Sequence, residues 1–327
     1  MATTHHYDVV IVGAGPAGMC AALYTGRSML KTAVIERGIP GGELLNTEKL
    51  DDWIGEKSIL GWELAKKFED HSREFGAEYV TAMVERVTKL PDGTFETVTD
   101  SGDRYASPAV IVTAGGTPVK LGIPGELEFA GKGVSYCAIC DGAFFKKHTI
   151  AVVGGGDAAV EEADFLTRYA DKVYVVHRRD SFRASRILVE RLLANPKIEV
   201  VWNAVAEEVI GDDQGLMSGL RVRDVVTDTV RTLDATGCFV FIGFRPNTGV
   251  IDGHFDHDEM GYVKTDTIMQ TSIAGLFAAG DLRSQLTRQV TTAVGDATTA
   301  AIAVEKYLKA RAENAQLVAQ GSGGYTA

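Results

Sequence analysis

Residues 7–27 read YDVVIVGAGPAGMCAALYTGR, and the order of residue types in this stretch decides the fold class. Val9–Val12 is a short apolar β-branched run, the pattern of a strand buried on both faces. Three glycines follow at G-x-G-x-x-G spacing, and a run of small residues then predicts a helix. Gly13 allows the tight turn, Gly15 lets the backbone approach a pyrophosphate, and Gly18 lets the helix pack on the sheet. Pro16 and Ala17 fill the first turn of that helix, whose unpaired N–H groups face the phosphates. The next strand, KTAVIE, ends at Glu36, 18 positions after Gly18. A carboxylate there accepts hydrogen bonds from ribose hydroxyls and repels a 2′-phosphate, so the site suits FAD or NAD rather than NADP.

The same grammar returns at residues 148–166, HTIAVVGGGDAAVEEADFL. Gly154, Gly156 and Ala159 take the three fingerprint positions, with Gly155, Asp157 and Ala158 between them. The strand that follows, KVYVVHRRDSFR, ends not in an acid but in His177, Arg178 and Arg179, with Arg183 beyond. Guanidinium groups pair with a 2′-phosphate in bidentate fashion. Two such contacts favour NADPH over NADH by roughly two orders of magnitude. The alternative, a solvated basic strand end, does not account for a cluster placed where the ribose is read. One chain thus carries an acidic-tipped site for a resident cofactor and an arginine-tipped site for a diffusible one.

The bulk properties narrow the partners. The chain has 327 residues, 45% hydrophobic and 24% charged, enough for two ordinary globular domains. A formal net charge of −11 leaves no broad basic surface, so nucleic acid is not expected as a partner. No apolar run reaches the roughly 18 residues of a membrane helix. The start, MATTHHYDVVIVG, lacks the basic and apolar regions of a secretory signal, which makes the cytoplasm the expected compartment.

Cysteine usage raises a sharper question. Of the four, Cys20 falls on the first helix and Cys238 in the apolar run GCFVFIGF, as small buried side chains do. The remaining two lie in residues 135–145, SYCAICDGAFF, as Cys137 and Cys140 with Asp141 directly behind. Zinc needs about four ligands, and His148 is the only histidine nearby, so no metal site is expected. A static staple would be kept reduced in the cytosol. A redox-active pair remains: Cys-x-x-Cys geometry lowers one thiolate pKa, and Asp141 is placed to move the exchange proton, or simply to cap a turn. Electrons can reach such a pair through a flavin, which takes a hydride and passes on two electrons.

Gly and Pro gather in PAVIVTAGGTPVKLGIPGE at 108–126 and again in FVFIGFRPNTGV at 239–250, as at domain crossovers. The expected architecture is α/β: two Rossmann-like three-layer ββα domains, one inserted in the other. Residues 1–118 and 246–312 would form the FAD-binding domain, and 119–245 the NADPH-binding domain with the cysteine pair. Residues 313–327, ENAQLVAQGSGGYTA, lose periodicity and are expected to form a flexible tail. Tyr325 within it could instead fold back over an aromatic cofactor.

Together GAGPAG, CAICDG, GGGDAAVEEA, HRRDSFRA and GLFAAGD…RQ resemble the low-molecular-weight thioredoxin reductases, in that family's order and spacing, from about Tyr7 to about Tyr307. The resemblance implies a homodimeric flavoprotein that takes hydride from NADPH to FAD, then to the Cys137–Cys140 disulfide, then to thioredoxin by exchange. It places Gly13, Gly15, Pro16, Ala17, Gly18 and Glu36 at the adenosine and pyrophosphate of FAD. Gly41, Gly42, Glu43, Leu44, Asp52 and the Gly280–Asp281 turn would lie along the ribityl chain and flavin. Arg288, Gln289 and Val290 would meet the flavin ring at a helix start. Gly154 to Ala158, His177, Arg178, Arg179 and Arg183 would hold NADPH. Cys140 would face the flavin and Cys137 would attack the partner disulfide, the inserted domain swinging to present each group in turn.

Some positions depart from the family pattern. Glu43 stands where Gln is common, Asp52 where Asn is usual, Ala114 where Thr is usual, and Ala158 where Ser or Thr often meets the pyrophosphate. GDATTAA, from Gly295, replaces a version bearing glycine and cysteine. The altered pyrophosphate contact keeps a ferredoxin-fed reductase in view, alongside a reductase of another protein or low-molecular-weight disulfide. A flavoprotein redox sensor, whose pair regulates without turning over, is the non-enzymatic alternative.

Overall fold

The computed structural model describes residues 3–47, 49–50 and 52–321. The chain forms two compact units, one taking both chain ends up to Thr117 and from Arg245, the other Pro118–Phe244. The chain passes between them on strands Gly116–Pro118 and Phe244–Pro246, which pair with each other.

In the first unit, five parallel strands run in the spatial order Leu276–Ala278, Ala109–Val112, Val9–Val12, Thr32–Glu36, Glu78–Thr81. The fingerprint strand is central and every residue in it is buried. Covering elements on both faces explain its unbroken apolar run. Helix Pro16–Arg27 lies against the first turns of helix Val290–Gly321, with Ala17, Ala21, Ala22, Ala293, Ala297, Ala300 and Ala301 in one buried cluster. Small side chains let the two helices approach closely, so the start and the end of the chain build one site. A four-stranded sheet, Thr4–His6, Arg104–Ser107, Phe95–Thr99 and Val84–Lys89, completes the unit.

The second unit repeats the plan. Its five parallel strands run Val134–Ser135, Gly237–Phe241, Thr149–Gly154, Lys172–Val176, Ile198–Val201, again with the fingerprint strand third. Helix Asp157–Leu166 follows the glycine turn, and an antiparallel sheet of Ala204–Gly211, Met217–Asp224 and Val230–Leu233 covers the other face.

One segment differs from the sequence expectation. Residues 313–321 continue the last helix instead of loosening into a tail. Glu313, Ala315, Gln316, Leu317 and Ala319 all favour helix, and no glycine or proline interrupts the run before Gly321. Tyr325 lies outside the described residues. No helix of the described residues is long and apolar enough to cross a membrane.

Candidate active site

The glycine turn of the first unit is built to admit another molecule's backbone-sized group. Gly13 has φ +99°, and a Cβ there would lie 2.8 Å from the Thr113 carbonyl. Thr113 also donates its hydroxyl to the Val12 and Gly13 carbonyls, at 2.9 and 2.8 Å. A Cβ at Gly18 would fall 1.9 Å from the Gly13 carbonyl, so only glycine lets the helix sit this close to the turn. No side chain caps the helix start at Gly15, which leaves its first N–H groups for an anion.

Around that turn, the other predicted residues converge. Glu36 spends its carboxylate on backbone: Ala14 N–H donates to Oε2 at 2.8 Å and Gly38 N–H to Oε1 at 3.1 Å. Gly41 N–H donates to the Ala14 carbonyl at 2.8 Å, and a Cβ on Gly42 (φ +55°) would approach the Gly15 Cα to 3.0 Å. The two glycine-rich backbones therefore lie side by side, a cradle that any side chain would fill. Pro16 opens the helix, and Ala17 Cβ lies 3.0 Å from where a Cβ on Gly280 would be, which brings the Gly280–Asp281 turn to the same place. Leu44 and Val290 share a small apolar cluster. Arg288 lies over the Tyr262 ring at 3.8 Å and donates to the Asp281 carbonyl, while Gln289 sits at the start of the helix that begins at Val290. Asp52 stays exposed.

Electrostatics in this cradle are shaped by burial. Desolvation lifts Asp281 to about 6; Arg288 opposes the rise, and Glu43 and Asp296 add to it. Glu43, the departure from the family pattern, is itself pushed up by desolvation against the pull of Asn46 and Arg37. Its residue is exposed, so the extra carboxylate ionises only somewhat less readily than a free glutamate. Asp296 and Arg283 escaped the sequence reading. They form an ion pair at 2.7 Å with side chains 12% and 13% exposed, and Asp296 also accepts the Gly280 N–H at 3.2 Å. Gly280 and Asp281 stood out as a motif, but nothing in the spacing announced that a carboxylate 16 residues on would hold their backbone.

In the second unit, Cys137 and Cys140 form a disulfide with Cα atoms 5.4 Å apart. Cys137 caps the short helix Ala138–Asp141, and its Sγ accepts the Cys140 N–H at 3.2 Å. An N–H donor at that place would favour an anionic sulfur at Cys137 once the bond is opened. Buried Ser135 grips the same residue from both sides: its Oγ accepts the Cys137 N–H at 3.1 Å and donates to the Cys137 carbonyl at 3.2 Å. Next to it, Tyr136 donates to the buried Glu126, which also accepts the Leu121 and Gly122 N–H groups. Asp141 closes the helix, half-buried, with its own N–H on the Cys137 carbonyl at 3.3 Å. Phe144 stands 77% exposed on the following turn. Of the other cysteines, Cys238 is wholly buried, as expected, and its thiol is pushed up to about 12, whereas Cys20 is only partly buried and donates to the Val294 carbonyl between helices. No cluster of three or more potential metal ligands occurs among the described residues.

The second glycine turn follows the first. Helix Asp157–Leu166 starts at Gly156 without a side-chain cap, and Ala158 is exposed at its first turn. Asp157 is otherwise engaged, accepting the Ser185 N–H and hydroxyl at 2.6 and 2.7 Å. Arg178, Arg179 and Arg183 are exposed on one loop, with no ion pair among the described residues. His177, grouped with them in the sequence, is instead 6% exposed, its ring nitrogens facing the Gly154 and Ser181 carbonyls.

Comparison with known proteins agrees with this geometry. The pyridine nucleotide-disulphide oxidoreductase family model matches residues 7–297. A thioredoxin reductase of Bacillus subtilis (strain 168) is 45% identical over 304 residues, covering 93% of this chain and 95% of that protein. The crystal structure of Lactococcus lactis thioredoxin reductase, in its FR conformation, superposes with a TM-score of 0.90 at 40% identity, covering 92% of this chain and 99% of the other. That of T. acidophilum thioredoxin reductase gives 0.87 at 33% identity, covering 92% and 98%. The glycine cradle and the arginine loop fit the FAD and NADPH whose use such relationship implies. With its fold, its disulfide and these relatives in agreement, the chain belongs to the pyridine nucleotide-disulphide oxidoreductases, among the low-molecular-weight thioredoxin reductases.

Proposed function

We propose that this oxidoreductase transfers electrons from NADPH, through FAD, to the disulfide of a thioredoxin. The observation that carries the proposal is the Cys137–Cys140 disulfide lying in the same unit as an arginine-tipped dinucleotide turn. FAD, when bound, supplies the conversion of a hydride into an electron pair that sulfur can accept. The residues of the first unit would hold it: the Gly13–Gly18 turn at the pyrophosphate, Glu36 at the ribose, Gly280–Asp281 and Gly41–Leu44 along the chain, and Arg288–Val290 at the ring. Arg178, Arg179 and Arg183 would hold the 2′-phosphate of NADPH, and their freedom from acidic partners favours this donor over ferredoxin.

The exchange step uses this chain's own sulfurs. Once the pair is reduced, the Cys137 thiolate, favoured by the Cys140 N–H, attacks one sulfur of the partner disulfide and displaces the other as a thiolate. Cys140 then attacks the Cys137 sulfur of the mixed disulfide, releasing the reduced partner and re-forming the Cys137–Cys140 bond. Asp141, next in sequence to Cys140, would take the proton from the Cys140 thiol. Exposed Phe144 offers an apolar contact to the docking partner. A homodimer and a cytoplasmic location accord with the family resemblance.

The proposal is tested by mixing the purified protein with NADPH and thioredoxins and following the nicotinamide absorbance. Continuous oxidation over many turnovers is expected; no oxidation with any thioredoxin would reject the proposal.

A further inference from the structure

Cys137 sits between two elements. The strand Val134–Ser135 pairs with Cys238 and Phe239 and ends at Ser135, and the short helix that carries Cys140 begins at Ala138. Cys137 itself is extended, with φ −140° and ψ 105°. In an extended residue the N–H and C=O point to the same side, so one group that both donates and accepts can meet the two together. The Ser135 hydroxyl does this, its Oγ accepting the Cys137 N–H at 3.1 Å and donating to the Cys137 carbonyl at 3.2 Å. The Asp141 N–H reaches that carbonyl too, at 3.3 Å, but from within the turn that carries both cysteines, so it does not tie the turn to the sheet. Ser135 is 5% exposed and fixed by its strand, and Tyr136 beside it is fastened to the buried Glu126. The hydroxyl thus joins the residue that bears one redox sulfur to the edge strand of the parallel sheet.

We propose that Ser135 is a positioning residue that sets the redox equilibrium of the Cys137–Cys140 pair, by holding the Cys137 backbone in place while the bond is open. The proposal rests on the reading of that pair as the carrier of electrons to thioredoxin. Neither bond from Ser135 involves sulfur, so both survive when the disulfide takes up two electrons and two protons and becomes two thiols. In the disulfide, Cys137 is restrained by its covalent link to Cys140. In the dithiol, the hydroxyl supplies that restraint. Removing it frees the dithiol and leaves the disulfide nearly as before, and fixing one residue's backbone is worth about a tenfold factor. A pair without the hydroxyl is therefore easier to reduce and a weaker donor to thioredoxin. Release of the reduced partner slows as well, because Cys140 must then find the Cys137 sulfur of the mixed disulfide from a looser geometry.

The test equilibrates flavin-loaded wild type, Ser135→Ala, Ser135→Thr and Ser135→Val with buffers of dithiothreitol and its cyclic disulfide. Two electrons and two protons pass from the buffer dithiol, which closes to its own disulfide, to the protein pair. Thiols are then alkylated and counted by mass, with flavin absorbance read in the same samples. In Ser135→Ala the equilibrium is expected to move about tenfold toward the dithiol, a potential about 30 mV more positive. Its kcat with thioredoxin should fall about three- to tenfold with KM within about twofold, while NADPH-driven reduction of a dye stays within about twofold. Ser135→Thr keeps the hydroxyl and should stay within about twofold of wild type, whereas Ser135→Val, close to it in size but without the hydroxyl, should follow Ser135→Ala. An equilibrium unchanged in Ser135→Ala and Ser135→Val would overturn the proposal, as would Ser135→Thr moving as far as Ser135→Val. Dye reduction lost in step with thioredoxin turnover would mean general damage to the unit and would overturn it too. If Ser135→Ala does not fold, Ser135→Thr against Ser135→Val carries the same comparison. A wild type that turns over no thioredoxin overturns the functional reading together with this proposal, whereas an equilibrium indifferent to the hydroxyl in an active enzyme overturns this proposal alone.

Discussion

Replacing Asp296 with alanine removes one carboxylate from two partners at once. Its oxygens pair with Arg283 at 2.7 Å and accept the Gly280 N–H at 3.2 Å, with both side chains of the ion pair about seven-eighths buried (12% and 13% exposed). Breaking a buried pair by deleting one partner costs about 3–5 kcal/mol, because the remaining charge is left uncompensated. Arg283 keeps bonds to Thr265 at 3.0 Å and Gln285 at 3.4 Å, and some solvent reaches it, so the lower end applies: about 3 kcal/mol for Asp296→Ala. Asp296→Asn can still accept the Gly280 N–H and should cost less. The double variant Arg283→Met, Asp296→Ala should cost less than the sum of its single changes, since no charge is stranded. Urea unfolding with flavin absorbance as a second probe measures all four, and because the pair holds the Gly280–Asp281 turn, Asp296→Ala should also retain less FAD through purification. An Asp296→Ala protein within about 0.5 kcal/mol of wild type and fully loaded with flavin would refute the reasoning.

Two further outcomes follow from single side chains. Asp281 is raised to about 6 from an ordinary 3.8, so folding favours its protonated form: the benefit is complete below about pH 4 and is lost as pH rises through about 6. Deflavinated Asp281→Asn should then be more stable than deflavinated wild type at pH 8, by about 1–2 kcal/mol after allowing for partial solvent screening, and no more stable at pH 4; equal denaturation midpoints at pH 8 would contradict this. Phe144→Ala should raise the KM for thioredoxin about three- to tenfold while leaving NADPH-driven reduction of an artificial dye unchanged, because the exposed ring belongs to docking alone; an unchanged KM would remove the residue from that surface.

Much of this molecule was legible in its chain because strong local constraints coincide with function. The Gly13 and Gly154 turns, the buried strands Val9–Val12 and Thr149–Gly154, and the close cysteine pair announce themselves by residue type and spacing. What escaped was held by contacts between distant residues. Asp296 reads as a polar interruption in a small-residue helix, yet it secures the backbone of Gly280. Glu126 reads as part of a Gly-Pro turn, yet it is 1% exposed and fastened to Tyr136 beside the disulfide. His177 was grouped with the arginines it precedes, since adjacency in sequence hides the carbonyls of Gly154 and Ser181 that its buried ring faces. The last helix was expected to end near residue 312 because an exposed helix has no apolar period, although propensity alone carries it to Gly321.

The most direct measurement is an anaerobic reductive titration of the flavin-loaded protein beside its Cys140→Ser variant. If electrons pass from flavin into the disulfide, wild type takes up twice the reducing equivalents per flavin that the variant does, and only wild type then delivers them to thioredoxin. Equal uptake by the two proteins, or thioredoxin reduction undiminished in the variant, would contradict the account.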